Sequence, residues 1–292
     1  MPVHEIRYRA WEGALLPPWQ RLLAIPRFTL LAVWNKWLSM AIFTGAIQTF
    51  AYTGYLMLVT NEVIRSMLNM NLAAMSVITP TRIFQNFYIV QYLICMVTAV
   101  AAAPRMISPE RQHNALPLIY SRPITRGGYI AGKTAGIALM MSYLTWFQVT
   151  LIFILMMAFY PQTHEFWTQF GSVSLPLFLK SFFIGWLITI ALSLYSLACS
   201  AATKNHLYAA VLFFVILFAA SFITVFVQEE LYTGFPDLGL YDLVKTLSLD
   251  WLAAERPATF SLIKTLLGFA VWIGLSYAFM RWRLRPVDVY SE

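Results

Sequence analysis

The chain has 292 residues, of which 60% are hydrophobic and only 11% charged, with a formal net charge of +7. Soluble domains hold about a quarter charged residues, so this composition excludes an ordinary soluble protein and places the chain in a bilayer. The positives fall in short segments between apolar runs and form no basic soluble unit, which excludes nucleic acid as the partner they serve.

Residues 1–36 are mixed in character. Arg7, Arg9, Arg21 and Arg27 interrupt them, and no clean apolar stretch ends in a small-residue cleavage site, so the segment is not read as a removable signal peptide. Pro17 and Pro18 can start a helix, and Trp19, Leu22 and Leu23 alternate with Arg21 and Arg27 at helical spacing. The pattern predicts an amphipathic helix lying in the cytoplasmic interface and kinked at Pro26, after a basic tail up to about residue 14.

Six apolar segments follow, and a helix needs about 20 such residues to cross the hydrocarbon. Counting between charges predicts spans at about 37–60, 83–104, 134–160, 181–203 and 206–228, with a sixth at 258–280 if Lys264 reaches toward the interface. The predicted organisation is therefore an N-terminal segment 1–36, a six-helix transmembrane domain 37–280 and a tail 281–292. Short cytoplasmic loops are rich in Lys and Arg. With both termini inside, fourteen of the twenty Lys and Arg residues fall on the cytoplasmic side, five of them in the loop 105–133, which predicts a multi-pass protein of the cell membrane with N- and C-termini in the cytoplasm.

The outer loops carry helical patterns of their own. Leu240, Leu243, Val244 and Leu247, followed by Trp251 and Leu252, predict a short outer helix before span six, and Val63, Ile64, Met67 and Leu68 make a weaker version after span one. Either one lies on the membrane surface or caps the bundle.

Catalytic chemistry is scarce. Residues 127–134, GGYIAGKT, fit the phosphate-binding pattern in Gly127, Gly132, Lys133 and Thr134, but such a loop must follow a strand and open a soluble helix, whereas this stretch runs into a span. Lys133 is read instead as an anchor at the membrane edge. Gly132 with Gly136, and Ala270 with Gly274, are small-xxx-small pairs suited to close helix packing. Cys95 and Cys199 lie inside spans and are read as packing residues, with no disulfide framework and no metal site. The first five spans hold no Asp, Glu, Lys or Arg, the residues on which ion-coupled carriers commonly rely. Gln48, Gln85, Asn86 and Gln91, together with Gln148 and His206, are the polar groups in or beside the spans, and such groups more often join helices than bind substrate.

The loop 105–133 is patterned. Ser108, Pro109 and Glu110 match a helix start, with Ser as cap, Pro in the first turn and an acid near the positive end. Arg111, Gln112, His113 and Asn114 continue it toward Leu116 and Leu118, before Arg122-Pro123 breaks the run. The result is either a charged linker or a short exposed helix for the groove of a soluble partner.

The stretch ISPERQHNALPLIYSRPITRGGYIAGK resembles the loop between the second and third spans in permease subunits of the type-2 ABC exporter class. Glu110-Arg111, Leu116, Leu118, Pro123, Ile124, Arg126, Tyr129, Gly132 and Lys133 fit the pattern, while Gln112-His113-Asn114 depart from it where many members carry an acid and Gly-Thr. The resemblance implies an all-α integral membrane protein of six transmembrane helices in which residues 108–118 form the cytoplasmic coupling helix, with a second contact at Lys204-Asn205-His206. It further implies a partnership with two cytoplasmic ABC ATPase subunits that hold ATP and Mg2+, a second copy of this chain or a related permease, no cofactor on this chain, and a substrate path near spans one, two and five, for which Gln48, Gln85, Asn86 and Gln91 are the candidate lining residues. A stand-alone secondary carrier or channel, or an intramembrane lipid-modifying enzyme, is the alternative.

Overall fold

A computed structural model describes residues 23, 25–29, 31, 39–60, 80–120, 125–160, 165–230, 237–253 and 261–285, and every regular element among them is helical. Most of the predicted N-terminal interfacial helix, the pattern Val63–Leu68, the Arg122-Pro123 break and residues 286–292 lie outside the described residues.

The helices are α1 (Ser39–Thr60), α2 (Pro80–Ala102), α3 (Pro104–Gln112), α4 (Leu116–Tyr120), α5 (Arg126–Phe159), α6 (Glu165–Thr168), α7 (Phe170–Ala202), α8 (His206–Glu230), α9 (Leu240–Thr246) and α10 (Leu262–Arg283). Five stretches, Thr81–Gln112, Arg126–Phe159, Phe170–Ala202, His206–Glu230 and Leu262–Arg283, are long and apolar enough to cross a membrane.

Helix ends do not follow the charge-free runs, because charges mark where water begins and caps mark where helices begin. α2 starts at Pro80 and takes in Arg82; α5 starts at Arg126, where Thr125 accepts the Gly128 N–H at 3.1 Å. Lys180, read as an outer loop residue, lies inside α7, which begins in a wide turn at Phe170–Ser174. α5 carries a similar wide turn at Tyr143–Phe147, closed at its end by a tight bond from the Gln148 N–H to the Thr145 carbonyl.

The bundle has two distinct ends. At one end α3 and α4 meet the start of α5, the end of α7, the start of α8 and the end of α10. At the other, α6 caps the junction of α5 and α7 through Ser174 Oγ to Phe166 O at 2.9 Å, and α9 lies across α2, α8 and α10. The expected short helix before α10 is present, with Leu240, Leu243, Val244 and Leu247 buried in the bundle.

α7 is the axis of the fold. Its second half is built from small residues, Ala191, Ser193, Ser196, Ala198, Ser200 and Ala201, so α3, α5 and α10 approach it closely. Tyr88 donates to the Ser181 carbonyl, and Thr145 Oγ1 lies 2.8 Å from Thr189 Oγ1, fixing α2 and α5 to it. α8 and α10 are mostly exposed along their length, presenting Val211, Phe218, Phe222, Leu267 and Leu275 outward.

Of the small-residue pairs, Gly132 and Gly136 make the expected close approach. A Cβ on Gly132 would stand 2.7 Å from the Ile25 side chain, and one on Gly136 would stand 2.6 Å from that of Thr29. Residues 25–29 therefore form a helical turn packed against α5, so this part of the N-terminal segment is not simply laid on an interface. A Cβ on Gly274 would meet no described neighbour within 4 Å outside the adjoining backbone of its own helix, and the close approach on α10 falls at Gly268, against Leu243 of α9.

Candidate functional site

The loop expected to carry function folds into an elbow. α3 begins at Pro104, and Ser108 sits inside it; the predicted single helix over 108–118 is instead two helices, separated at Asn114, whose φ is 50°. Pro104 wins over Pro109 as the starting proline because α3 follows α2 almost without a break and because its free amides are met from elsewhere. Ser200 Oγ on α7 accepts the backbone N–H groups of Ile107 and Ser108, both at 3.1 Å, and donates to Pro104 O at 2.8 Å. Ser108 Oγ, read as the cap, donates to Ser200 O at 2.8 Å. The cap for this helix comes from another helix.

Two further ties hold the elbow. Arg111 donates to the Ala201 carbonyl at the end of α7, where carbonyls lack intrahelical partners and the helix end favours a cation. Glu110 accepts from the Tyr129 hydroxyl and pairs with Lys133 at 2.6 Å, and Lys133 Nζ also donates to Met106 O at 3.1 Å. Lys133 is only 11% exposed, so it is an internal ion-pair partner and not a membrane-edge anchor. Its ammonium is occupied and Gly127–Thr134 are helical, so the stretch cannot cradle phosphate as a loop does.

The remaining residues of the loop face outward. Gln112, His113, Asn114, Pro117 and Leu118 are exposed, Leu118 by 69%, while Leu116 is half-buried against the core. Tyr120 closes the tip against α10 by donating to Leu284 O at 3.2 Å, and burial lifts its phenol above the ordinary value, which keeps it a donor. The turn after α7 presents exposed Lys204 beside the elbow, and Asn205 Oδ1 caps α8 by accepting the Leu207 N–H at 2.9 Å, with His206 half-buried at its first position. Among the residues expected to meet a partner, the fold thus brings Gln112, His113, Asn114, Leu118 and Lys204 to the surface at one end. Ser108, Pro109, Glu110 and Arg111 build the joint beneath.

The polar residues of the spans form a separate layer. Gln48 donates to Gln91, Gln91 donates to the Leu144 carbonyl in the wide turn of α5, and Thr49 Oγ1 lies 2.8 Å from Gln148 Oε1. Gln148 Nε2 reaches Gly45 O at 3.2 Å. Gln48 and Gln91 are thus buried bonds between α1, α2 and α5. Gln85 is half-buried and donates to Leu249 O at 2.8 Å, and Asn86 is exposed beside Tyr52 and Tyr55 in a cleft of about 210 Å³.

Sequence reasoning missed Ser200. The signal lay in the spacing of Ser193, Ser196 and Ser200, three and four residues apart on one face of a span and all fully buried. Cys95 and Cys199 are buried free thiols, as packing residues would be, and no group of His, Cys, Asp and Glu able to hold a metal occurs among the described residues.

A family model described as ABC-2 family transporter protein matches residues 29–276. No curated protein matches the chain.

Proposed function

The chain belongs to the ABC-2 transporter family and is a multi-pass membrane permease, and from that premise we propose that it forms the substrate pathway of an ATP-driven exporter whose motor lies on separate subunits. In this reading α1 is the first of six spans, since it is a 22-residue apolar helix bonded to α2 and α5 through Gly45, Gln48 and Thr49. The elbow end faces the cytoplasm, in keeping with the excess of Lys and Arg in its loops. The domain plan of 1–36, 37–280 and 281–292 belongs to the same proposal.

The observation that carries the reading is the division of labour within the elbow. Its base is fastened to α5 and α7 by buried bonds, and its tip exposes Gln112, His113 and Asn114 and presents the apolar Leu118 side chain to water. An exposed apolar residue on a rigid support is the form a docking knob takes. ATPase subunits, which members of this family generally have as partners, would seat the tip and Lys204 in grooves, holding ATP and Mg2+ themselves. A second permease, a copy or a relative, would complete the pathway across the exposed apolar faces of the bundle.

The test is accessibility and crosslinking. His113→Cys and Leu118→Cys, made in a Cys95→Ala/Cys199→Ala background, should react with a membrane-impermeant maleimide in inside-out vesicles and not in intact cells. A bifunctional reagent on either site should capture a nucleotide-binding subunit. Labelling from outside the cell would overturn the orientation, and capture of no nucleotide-binding protein would overturn the coupling role.

A further inference from the structure

The elbow is joined to the bundle twice, and the joints differ in stiffness. Toward α2 the link is covalent but interrupted: Pro104 lacks an N–H, so one bond of the helical ladder is missing at the junction, where the Met106 N–H turns to Ala103 O. Toward α7 it is non-covalent and complete. Ser200 Oγ accepts two amides and donates to one carbonyl, Ser108 Oγ lies 3.3 Å from it and bonds its carbonyl, and Arg111 holds the next carbonyl along. Ser108 and Ser200 are both fully buried, where a broken polar network finds no water to replace its bonds.

We propose that Ser200 is the positioning residue that makes α3 and α7 one rigid lever, so that thrust on the exposed tip passes to the axis of the bundle through α7. The inference rests on the coupling role given to the tip above, and it adds the route the force takes. α7 packs against α2, α5, α8 and α10, so a lever attached to it reaches four of the long helices of the bundle.

The permease is purified with its co-isolated ATPase subunits and reconstituted in liposomes, in the Cys199→Ala background. With Ser108→Cys and Ser200→Cys added, an oxidised disulfide clamps the joint, the two hydroxyl oxygens being 3.3 Å apart. ATP turnover should stay within about twofold of the reduced complex; a fall of about tenfold that reductant reverses would overturn the rigid lever. Should that pair disturb folding, spin labels at exposed His113 and Lys204, one on each side of the joint, read the same property. Their separation should hold between nucleotide-free and vanadate-trapped states, and a shift of more than about 5 Å, one helical turn, would overturn the proposal. Failure of the wild-type permease to retain an ATPase removes the coupling role and this inference together, whereas an active complex whose joint opens removes this inference alone.

Discussion

Lys133 Nζ lies 2.6 Å from Glu110 Oε1, joining the first turns of α5 to the underside of α3 across 23 residues of chain. The pair is largely withdrawn from water, with Lys133 at 11% and Glu110 at 26% exposure, and Tyr129 donates to the same carboxylate. Glu110→Gln or Lys133→Met leaves the other charge without its partner. Breaking a fully buried pair costs about 3–5 kcal/mol; partial exposure here reduces that to about 1–3 kcal/mol. A lower Tm in detergent for each single variant, with part of it recovered in Glu110→Gln/Lys133→Met, is the expected pattern. Unchanged single variants would show that the pair holds nothing.

Gly136 is one of two glycines, with Gly132, at which residues 25–29 come close to α5, and an added Cβ there would meet the Thr29 side chain at 2.6 Å and Pro26 O at 3.4 Å. Gly136→Ala should push the segment away at a cost of about 1–3 kcal/mol. Limited proteolysis should cut the N-terminal segment faster in this variant. Gly171→Ala, where no described residue lies within 4 Å of the added carbon, is the control that should leave the cutting rate as it was.

Gln48 and Gln91 separate a structural role from a substrate role. Each is bonded within the bundle, Gln91 three times, and an interhelical bond of this kind in a membrane contributes about 1 kcal/mol. Gln48→Leu/Gln91→Leu should lower the Tm modestly and leave ATP turnover of the assembled transporter in place. A retained Tm with altered substrate stimulation would instead assign the pair to the pathway.

Asp242 at the start of α9 shows a pH dependence of known sign. Burial first, and then the neighbouring Asp237 carboxylate, raise its pKa above the ordinary 3.8, against the opposing hydrogen bond from Ser221 and the pull of Lys245; Asp250 is raised by burial and by Asp237 as well. A carboxyl whose folded pKa is raised binds its proton more readily folded than unfolded. Its charged form therefore destabilises the fold near neutrality, and that penalty disappears as pH falls toward 3.8. Asp242→Asn should be more stable than the parent at neutral pH, with the gap closing on acidification. A gap that widens as pH falls would reverse the assignment.

Much was legible in the residues themselves. The bilayer habitat, the long apolar helices and the short α9 with its buried leucines all follow from composition and from periods of three and four, because burial in lipid or in a core selects side chains locally. The tip of the elbow was legible too, since Gln112, His113 and Asn114 are polar wherever they are placed. Three-dimensional structure alone decided what the other polar residues do. Ser108 has the look of a cap and is a cross-link; Lys133 has the look of an anchor and is an ion-pair partner; Ser200 sits in an apolar run and caps a helix 92 residues earlier in the chain. A hydrogen bond is satisfied by whichever group the fold brings within reach, and the chain's order carries no record of which groups those are.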